Sequence, residues 1–541
     1  MNFQRMNELF KNPAEDKILR RIYFFILLLL VPALLVNLGL LALIDDEGIR
    51  SLVALEMKIS GNYITPTLAG DLYYNKPPLY NWILLSFFEL TGTVSEFIAR
   101  LPTVIFLLGY AATVFYFFKK EIGTRAAFLN SLALITCGRI FFYDSMLGLI
   151  DICFSWIVFT LFMLVFFEYK KGRLLRLFVL TYLLTAAGFL MKGLPALVFQ
   201  AFTLTAFFIY KKDFKKLFTW QHLAGGLIFL LLTGGYYFLY QQQNSLETVF
   251  STLFTESSKR TAVNYGWQAT LLHLFTFPFE MVYHFLPWSV LVIYFFKKES
   301  LRLVLKNEFL TYCALIFLVN ISVYWASVEV YPRYLLMFPP LIFGIFWHLH
   351  FQYFEKNTWQ RSSLEILFLV ICTALTLLSL LPFFWERAAA VENSSLKATL
   401  IFLAAALCTG FYYRLKNYRW EILMLFLLVF RLGFDWFVLP DRNGEDWGDE
   451  VRKSSIEIGE SSKNKSLFLL QNSDIQPANA FYLTRARMKK LERQFENFQP
   501  GAWYIADPGL AEQLDGFEKI GEMKVRHGQP KHRDILIYRP D

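Results

Sequence analysis

The sequence predicts an all-α polytopic membrane protein of about thirteen transmembrane helices, followed by a small C-terminal α/β domain outside the membrane. Three observations predict it. Apolar runs close to the length needed to cross a hydrocarbon core recur from Arg21 to about Val438. Lys and Arg gather in short clusters between those runs. After about Pro440 the chain turns polar and charged.

The runs come first. Hydrophobic residues make up 56% of the 541, too many for a string of soluble domains. Ile22 to Ile44 is too long for a secretory signal and has no small-residue cleavage site, so it reads as a retained first span. Further spans are expected near 98–118, 125–142, 150–168, 174–191, 194–210, 221–240, 279–296, 308–326, 335–350, 362–384, 397–413 and 420–438. Leu79 to Gly92 is apolar but only ~14 residues long, the length of an interfacial or re-entrant segment.

Charge decides whether that segment crosses. If it does not, the basic N-terminus, Lys119-Lys120 with Arg125, Lys170-Lys171, Lys211-Lys212, Lys297-Lys298 and Arg414 with Lys416 all fall on one side. That is the positive-inside pattern. The N-terminus is then cytoplasmic and the C-terminus extracytoplasmic, in the cytoplasmic (inner) membrane of the cell. The net charge of +9 therefore reports topology, and no nucleic-acid partner is expected. The cysteines, Cys137, Cys153, Cys313, Cys372 and Cys408, lie in or beside apolar runs with no C-x-x-C spacing, so they read as inert packing thiols.

Two units follow, 1–440 in the membrane, with its first outer loop at 45–97, and 441–541 outside it. In the tail, Ser466–Leu470 and Ala502–Ala506 read as strands and Pro477–Lys490 as a helix with Asn479 near its start. Asp507-Pro508 is expected to cap a helix that follows, and Lys524-Val525 and Asp534–Tyr538 to form further strands.

This topology gathers the unusual polar residues at one membrane face. Asp45, Asp46, Glu47 and Arg50 follow the first span. Asn75 and Lys76 precede Pro77-Pro78, Asp144 and Asp151 bracket an outer turn, and Lys192 ends a span. Arg260 and His273 lie in a later outer loop, and Arg333-Tyr334 opens another span. Singly these are helix caps, snorkelling lysines and interface aromatics. Jointly they put acids and bases into one aqueous cavity. The bases suit a phosphate at headgroup depth, and the carboxylates suit an acceptor hydroxyl or a divalent metal. The sequence leaves the metal open.

The stretches Asp46-Glu47-Gly48, Ser60-Gly61-Asn62-Tyr63-Ile64-Thr65-Pro66, Tyr74-Asn75-Lys76-Pro77-Pro78-Leu79 and Phe97-Ile98-Ala99-Arg100-Leu101-Pro102 keep an order and spacing that resemble the first outer loop of a GT-C family. Its members are the protein O-mannosyltransferases and lipid A aminoarabinose transferases. The resemblance implies thirteen spans, an outer C-terminal domain and a polyprenyl-phosphate sugar donor. It implies that the essential carboxylate falls on Asp46, with Glu47 beside it, and that Lys76 holds the lipid phosphate. Lys192, Arg50, Arg260 and Arg333 would assist. Two positions depart from the family: Asn75 stands where relatives often carry a metal-binding Glu, and Ile49 where they often carry Arg. The expectation is a glycosyltransferase for a hexosyl or pentosyl unit, acting on a lipid A-like or protein acceptor among membrane lipids. A polytopic transporter or flippase is the alternative; it should carry broken helices and mid-membrane charges.

Overall fold

A computed structural model of the chain describes residues 13–258, 266–354, 356, 358–445, 448–526 and 532–540. In an apolar solvent a helix satisfies its backbone N–H and C=O groups within its own run, and each expected span falls on helical structure. Among the described residues, nine helices are long and apolar enough to cross a membrane. A tenth is added if Thr124–Thr136 and Gly138–Met146, bent by 43°, count as one span. Pro195–Tyr210 and Pro339–Gln352 are shorter helices. The run expected at 279–296 is broken: the helix Trp267–His284 stops, and a 3₁₀ segment, Trp288–Phe296, follows Pro287, which has no N–H to donate.

The first span differs from its expectation of Ile22 to Ile44. Its helix is Pro13–Leu35, and the chain then turns. Asn37 adopts φ +56°, and a side chain at Gly39 would meet Phe97 Cβ at 2.8 Å. Unwinding releases carbonyl groups, and the buried Arg100 guanidinium collects those of Leu38, Leu41 and Ala42 at 2.9–3.1 Å. Arg100 stands in the first turns of the helix Glu96–Ile122, which Ser95 caps by accepting from Ile98 N.

The outer loop opens with the helix Asp45–Ser60, closed by Gly61 at φ +68°. A small hairpin follows, β1 (Thr67–Leu68) against β2 (Asp71–Leu72). The helix Leu79–Thr91 has 13 residues. It rises ~20 Å, short of the ~30 Å of a hydrocarbon core.

Ion pairs mark the two ends of the bundle. At one end Lys170 meets Glu121 at 3.0 Å, Arg125 meets Glu421 at 2.5 Å, and Lys211 pairs with Glu308. The basic clusters therefore share an end. At the other end Glu96 holds Arg452 and Arg485 of the tail at 3.2 and 3.1 Å.

The tail forms a five-stranded sheet of order β4-β3-β5-β7-β6, made of β3 (Leu467–Leu470), β4 (Glu492–Gln494), β5 (Trp503–Ala506), β6 (Phe517–Lys524) and β7 (His532–Tyr538). β4, β3 and β5 run parallel; β7 is antiparallel to β5 and β6. The helices Asp449–Ser461 and Pro477–Arg487 cover it, joined by Asn479, which donates to Ser455 Oγ and Lys524 O at 2.8 Å. The helix expected after Asp507-Pro508 is only a 3₁₀ turn, Ala511–Gln513. Gly509 interrupts it at φ +77° and gives its N–H to Asp534 Oδ2 at 3.0 Å.

Candidate active site

The Asp45–Ser60 helix carries the site, and two buried glutamates pin it. Glu47 is completely buried. It forms a two-point ion pair with Arg100 at 2.7 and 3.0 Å and accepts Ile44 N at 2.8 Å and Gly148 N at 2.9 Å. One carboxylate thus ties the helix start to two other segments. Such charge-assisted bonds are stronger than neutral ones. Near the far end Glu56, also fully buried, accepts Thr67 Oγ1 at 2.5 Å and Gly70 N at 3.2 Å. Burial raises its pKa above the ordinary carboxylate value, against the hydrogen bond from Thr67.

Asp46 points elsewhere. Its side chain is 42% exposed and meets Arg333 Nη2 at 2.8 Å. Arg333, itself buried, also faces Asp151 Oδ2 at 3.7 Å, and Asp151 Oδ1 takes Lys192 Nζ at 2.5 Å. Four elements therefore converge on Asp46–Arg333–Asp151–Lys192: the Asp45–Ser60 helix, the Pro332–Leu335 turn, the start of Asp151–Lys170 and the end of Leu174–Lys192. Aromatic faces back both cations. Lys192 Nζ lies 3.9 Å from the Tyr334 ring centre, and Arg333 lies 4.8 Å from that of Tyr331. The sequence reading named Arg333-Tyr334 but gave these rings no role; the Tyr331-Pro332-Arg333-Tyr334 run was the available signal.

Lys76 lines a narrow cleft with Pro66, Tyr73, Tyr74, Tyr236, Tyr237, Tyr240, Val249 and Leu253. Two contacts connect this cleft to the ion cluster. Arg50, one helical turn past Asp46, donates to Tyr73 Oη at 2.6 Å. Leu253 sits against Gly193, the neighbour of Lys192, 3.3 Å from where a Cβ would be.

An apolar groove of about 370 Å³ opens between Trp267–His284, Glu308–Trp325 and Pro339–Gln352, helices that include the two flanking Arg333 in sequence. Phe277, Met281, Trp325, Phe338, Pro339 and Phe346 line it. Ser289, a polar residue in its wall, spends its hydroxyl on Val282 O at 2.5 Å.

The other expected residues fall outside the cluster. Glu47, grouped with Asp46 as catalytic in the sequence reading, has its carboxylate committed to Arg100 and two backbone N–H groups. Arg50 is buried against Tyr73. Asp144 is buried and paired with Arg139 at 3.1 Å. His273 is buried, with Nδ1 3.2 Å from Trp325 O. Asn75 is exposed. Arg260 lies outside the described residues.

The cluster does not fit a tightly held divalent ion. Asp46 and Asp151 both face Arg333, and Asp151 also faces Lys192. Among the described residues, the grouping of potential ligands is Glu522, His532 and Asp534 in the tail, where Lys519 already lies 3.1 Å from Asp534.

The family described as dolichyl-phosphate-mannose-protein mannosyltransferase matches residues 75–237. An uncharacterized protein of Aquifex aeolicus is 25% identical over 272 residues, covering 50% of this chain and 53% of that protein. The undecaprenyl phosphate-alpha-4-amino-4-deoxy-L-arabinose arabinosyl transferase of Shewanella sediminis is 28% identical over 206 residues, 36% of each chain. The chain thus spans about half or less of the length of these curated relatives. The crystal structure of ArnT from Cupriavidus metallidurans bound to undecaprenyl phosphate superposes with a TM-score of 0.70 at 17% identity, over 95% of this chain and 97% of that one. Its apo form gives 0.68 over 96% and 98%.

Proposed function

From the GT-C fold of this chain, a multi-span membrane architecture, we infer a glycosyltransferase that moves a sugar from a polyprenyl-phosphate donor to a lipid or protein acceptor. One observation carries the reading: Lys192, Asp151 and a half-exposed Asp46 converge on Arg333, and the segments on either side of Arg333 in sequence, through Trp325, Phe338 and Pro339, form part of an apolar groove. A polyprenyl phosphate has those two parts, a tail that needs an apolar channel and a head that needs cations at the interface. The ArnT neighbour holds undecaprenyl phosphate, and the Shewanella sediminis relative is a transferase, which favours an enzyme over a flippase.

In this mechanism the groove takes the tail, and Arg333, Lys192 and Lys76 take the phosphate. Asp46 and the phosphate compete for Arg333. Donor binding draws the guanidinium away and leaves Asp46 to the acceptor. The acceptor oxygen attacks the anomeric carbon, and the bond to the phosphate oxygen breaks. The acceptor proton passes to Asp46, and the cations stabilise the phosphate that leaves. If the nucleophile is itself a phosphate, Asp46 only positions it. No step runs through a metal. Glu47 and Arg50 hold the helix and the Tyr73 loop in register.

We take the end that bears the basic clusters as cytoplasmic, which sets the site and the 441–541 domain outside the inner membrane. A reporter fused after Asp213 then reads cytoplasm, and one after Arg442 reads outside. Both on one side would dismantle the topology. Mass spectrometry of envelope lipids and glycans with and without the gene tests the activity. One glycoform should vanish with the gene and return with the wild type but not with Asp46→Asn. An unchanged envelope profile would refute the reading.

A further inference from the structure

The cleft that Lys76 lines holds a second polar group. Tyr240 sits in the last turn of the Trp220–Gln241 helix and is 2% exposed. Its hydroxyl is buried and has no hydrogen-bond partner among the described residues. A buried hydroxyl left unbonded is destabilising, so such groups are rare unless something else satisfies them. The neighbouring phenols are engaged differently. Tyr236 Oη donates to Ile64 O at 3.0 Å, and Tyr73 Oη accepts from Arg50 at 2.6 Å. Tyr240 stacks on that same aromatic wall, its ring centre 6.2 Å from that of Tyr236. The cleft therefore places Lys76 and the unbonded phenol of Tyr240 in one lining, with apolar surroundings that include Val249 and Leu253.

We propose that Tyr240 is a specificity residue for the donor: its hydroxyl donates a hydrogen bond to the phosphate that Lys76 attracts. This rests on the polyprenyl-phosphate reading above. A neutral donor beside an ammonium suits an anionic oxygen. A phenol adds direction to the cations' attraction without adding charge. Val249 and Leu253 of the Glu247–Ser258 helix form the apolar part of the cleft's lining.

The test compares two probes on purified full-length protein in detergent, undecaprenyl phosphate and undecaprenol, by titration of intrinsic fluorescence. Wild type should bind the phosphate form more tightly than the alcohol. Tyr240→Phe should weaken phosphate binding about tenfold or more, the scale of a hydrogen bond to a charged group, and leave undecaprenol binding unchanged. Its thermal midpoint should be equal to or above that of wild type, because the variant removes an unbonded buried hydroxyl. Undiminished phosphate binding by Tyr240→Phe, alongside its loss in Lys76→Ala, would overturn the Tyr240 proposal and leave the lipid-phosphate reading standing. A lowered thermal midpoint would also count against it, by assigning the hydroxyl a structural bond. Equal affinity of wild type for both probes would overturn both readings.

Discussion

Replacing Glu47 with Gln separates two adjacent carboxylates that look equivalent on paper. The change keeps the shape and removes the charge. Glu47 gives two acceptor contacts to Arg100 and one each to Ile44 N and Gly148 N. A Gln amide has one acceptor oxygen, and in either orientation its NH₂ faces Arg100 together with Ile44 N or Gly148 N, donor against donor. The guanidinium keeps three backbone carbonyl acceptors, so it is not stripped of partners. It does lose its counter-ion inside the protein. Breaking a buried pair on one side costs about 3–5 kcal/mol. Asp46→Asn breaks a pair whose carboxylate is 42% exposed, and exposed pairs contribute at most about 1 kcal/mol. Thermal unfolding of detergent-purified variants should therefore show a large fall in midpoint for Glu47→Gln and almost none for Asp46→Asn. Transfer per folded molecule should show the opposite order. A Glu47→Gln protein as stable as Asp46→Asn but inactive would make Glu47 the reacting carboxylate and refute the assignment.

Asp46→Asn should lower transfer by on the order of 10²–10⁴-fold if the residue is a general base, with Asp45→Asn close to normal; the reverse result would move the register by one residue. Lys76→Ala should raise the donor concentration needed for half-maximal rate, and a pure fall in kcat at unchanged donor requirement would assign it to the transition state alone. EDTA should leave turnover intact, since the cluster carboxylates face cations; complete loss, restored by a divalent ion, would refute this. Burial raises the pKa of Glu56 in the folded protein, so the native state holds the proton more tightly than the unfolded one and stability falls as pH rises through the window above about 4.5. Glu56→Gln should remove that fall, its midpoint gaining on wild type between pH 5 and pH 8; a constant difference across that range would show that charge is not the cause.

The spans were legible because hydrophobic length is a one-dimensional property. Their breaks were less so. Nothing in the composition of Ile22–Ile44 says that helix stops at Leu35; the stop depends on Gly39 against Phe97 and on Arg100 taking the released carbonyls, contacts made across some sixty residues. In the site, Asp46, Asp151, Lys192 and Arg333 were readable as charges placed at span ends on one face. The different surroundings of Glu47 were hidden because adjacency in a helix hides direction: one residue turns the side chain by about 100°, which here separates a solvent-facing carboxylate from a sealed one. Tyr240 was invisible in the sequence. An aromatic at a span end is normally an interface anchor, and only burial without a partner distinguishes it.

The tail reaches back to the first outer loop. Tyr482 Oη accepts Leu43 N at 2.7 Å, and a side chain on Gly48 would collide with Ala478 N at 3.1 Å. These partners are separated by over four hundred residues. A ribosome feeding this chain into the membrane therefore emits the Asp45–Ser60 helix early and the segment that packs on it late. Until Tyr482 is made, every nascent copy carries an Asp45–Ser60 helix without these contacts. Termination between Val438 and Pro477 would leave the membrane helices in place but without these two contacts to the segment around Leu43 and Gly48.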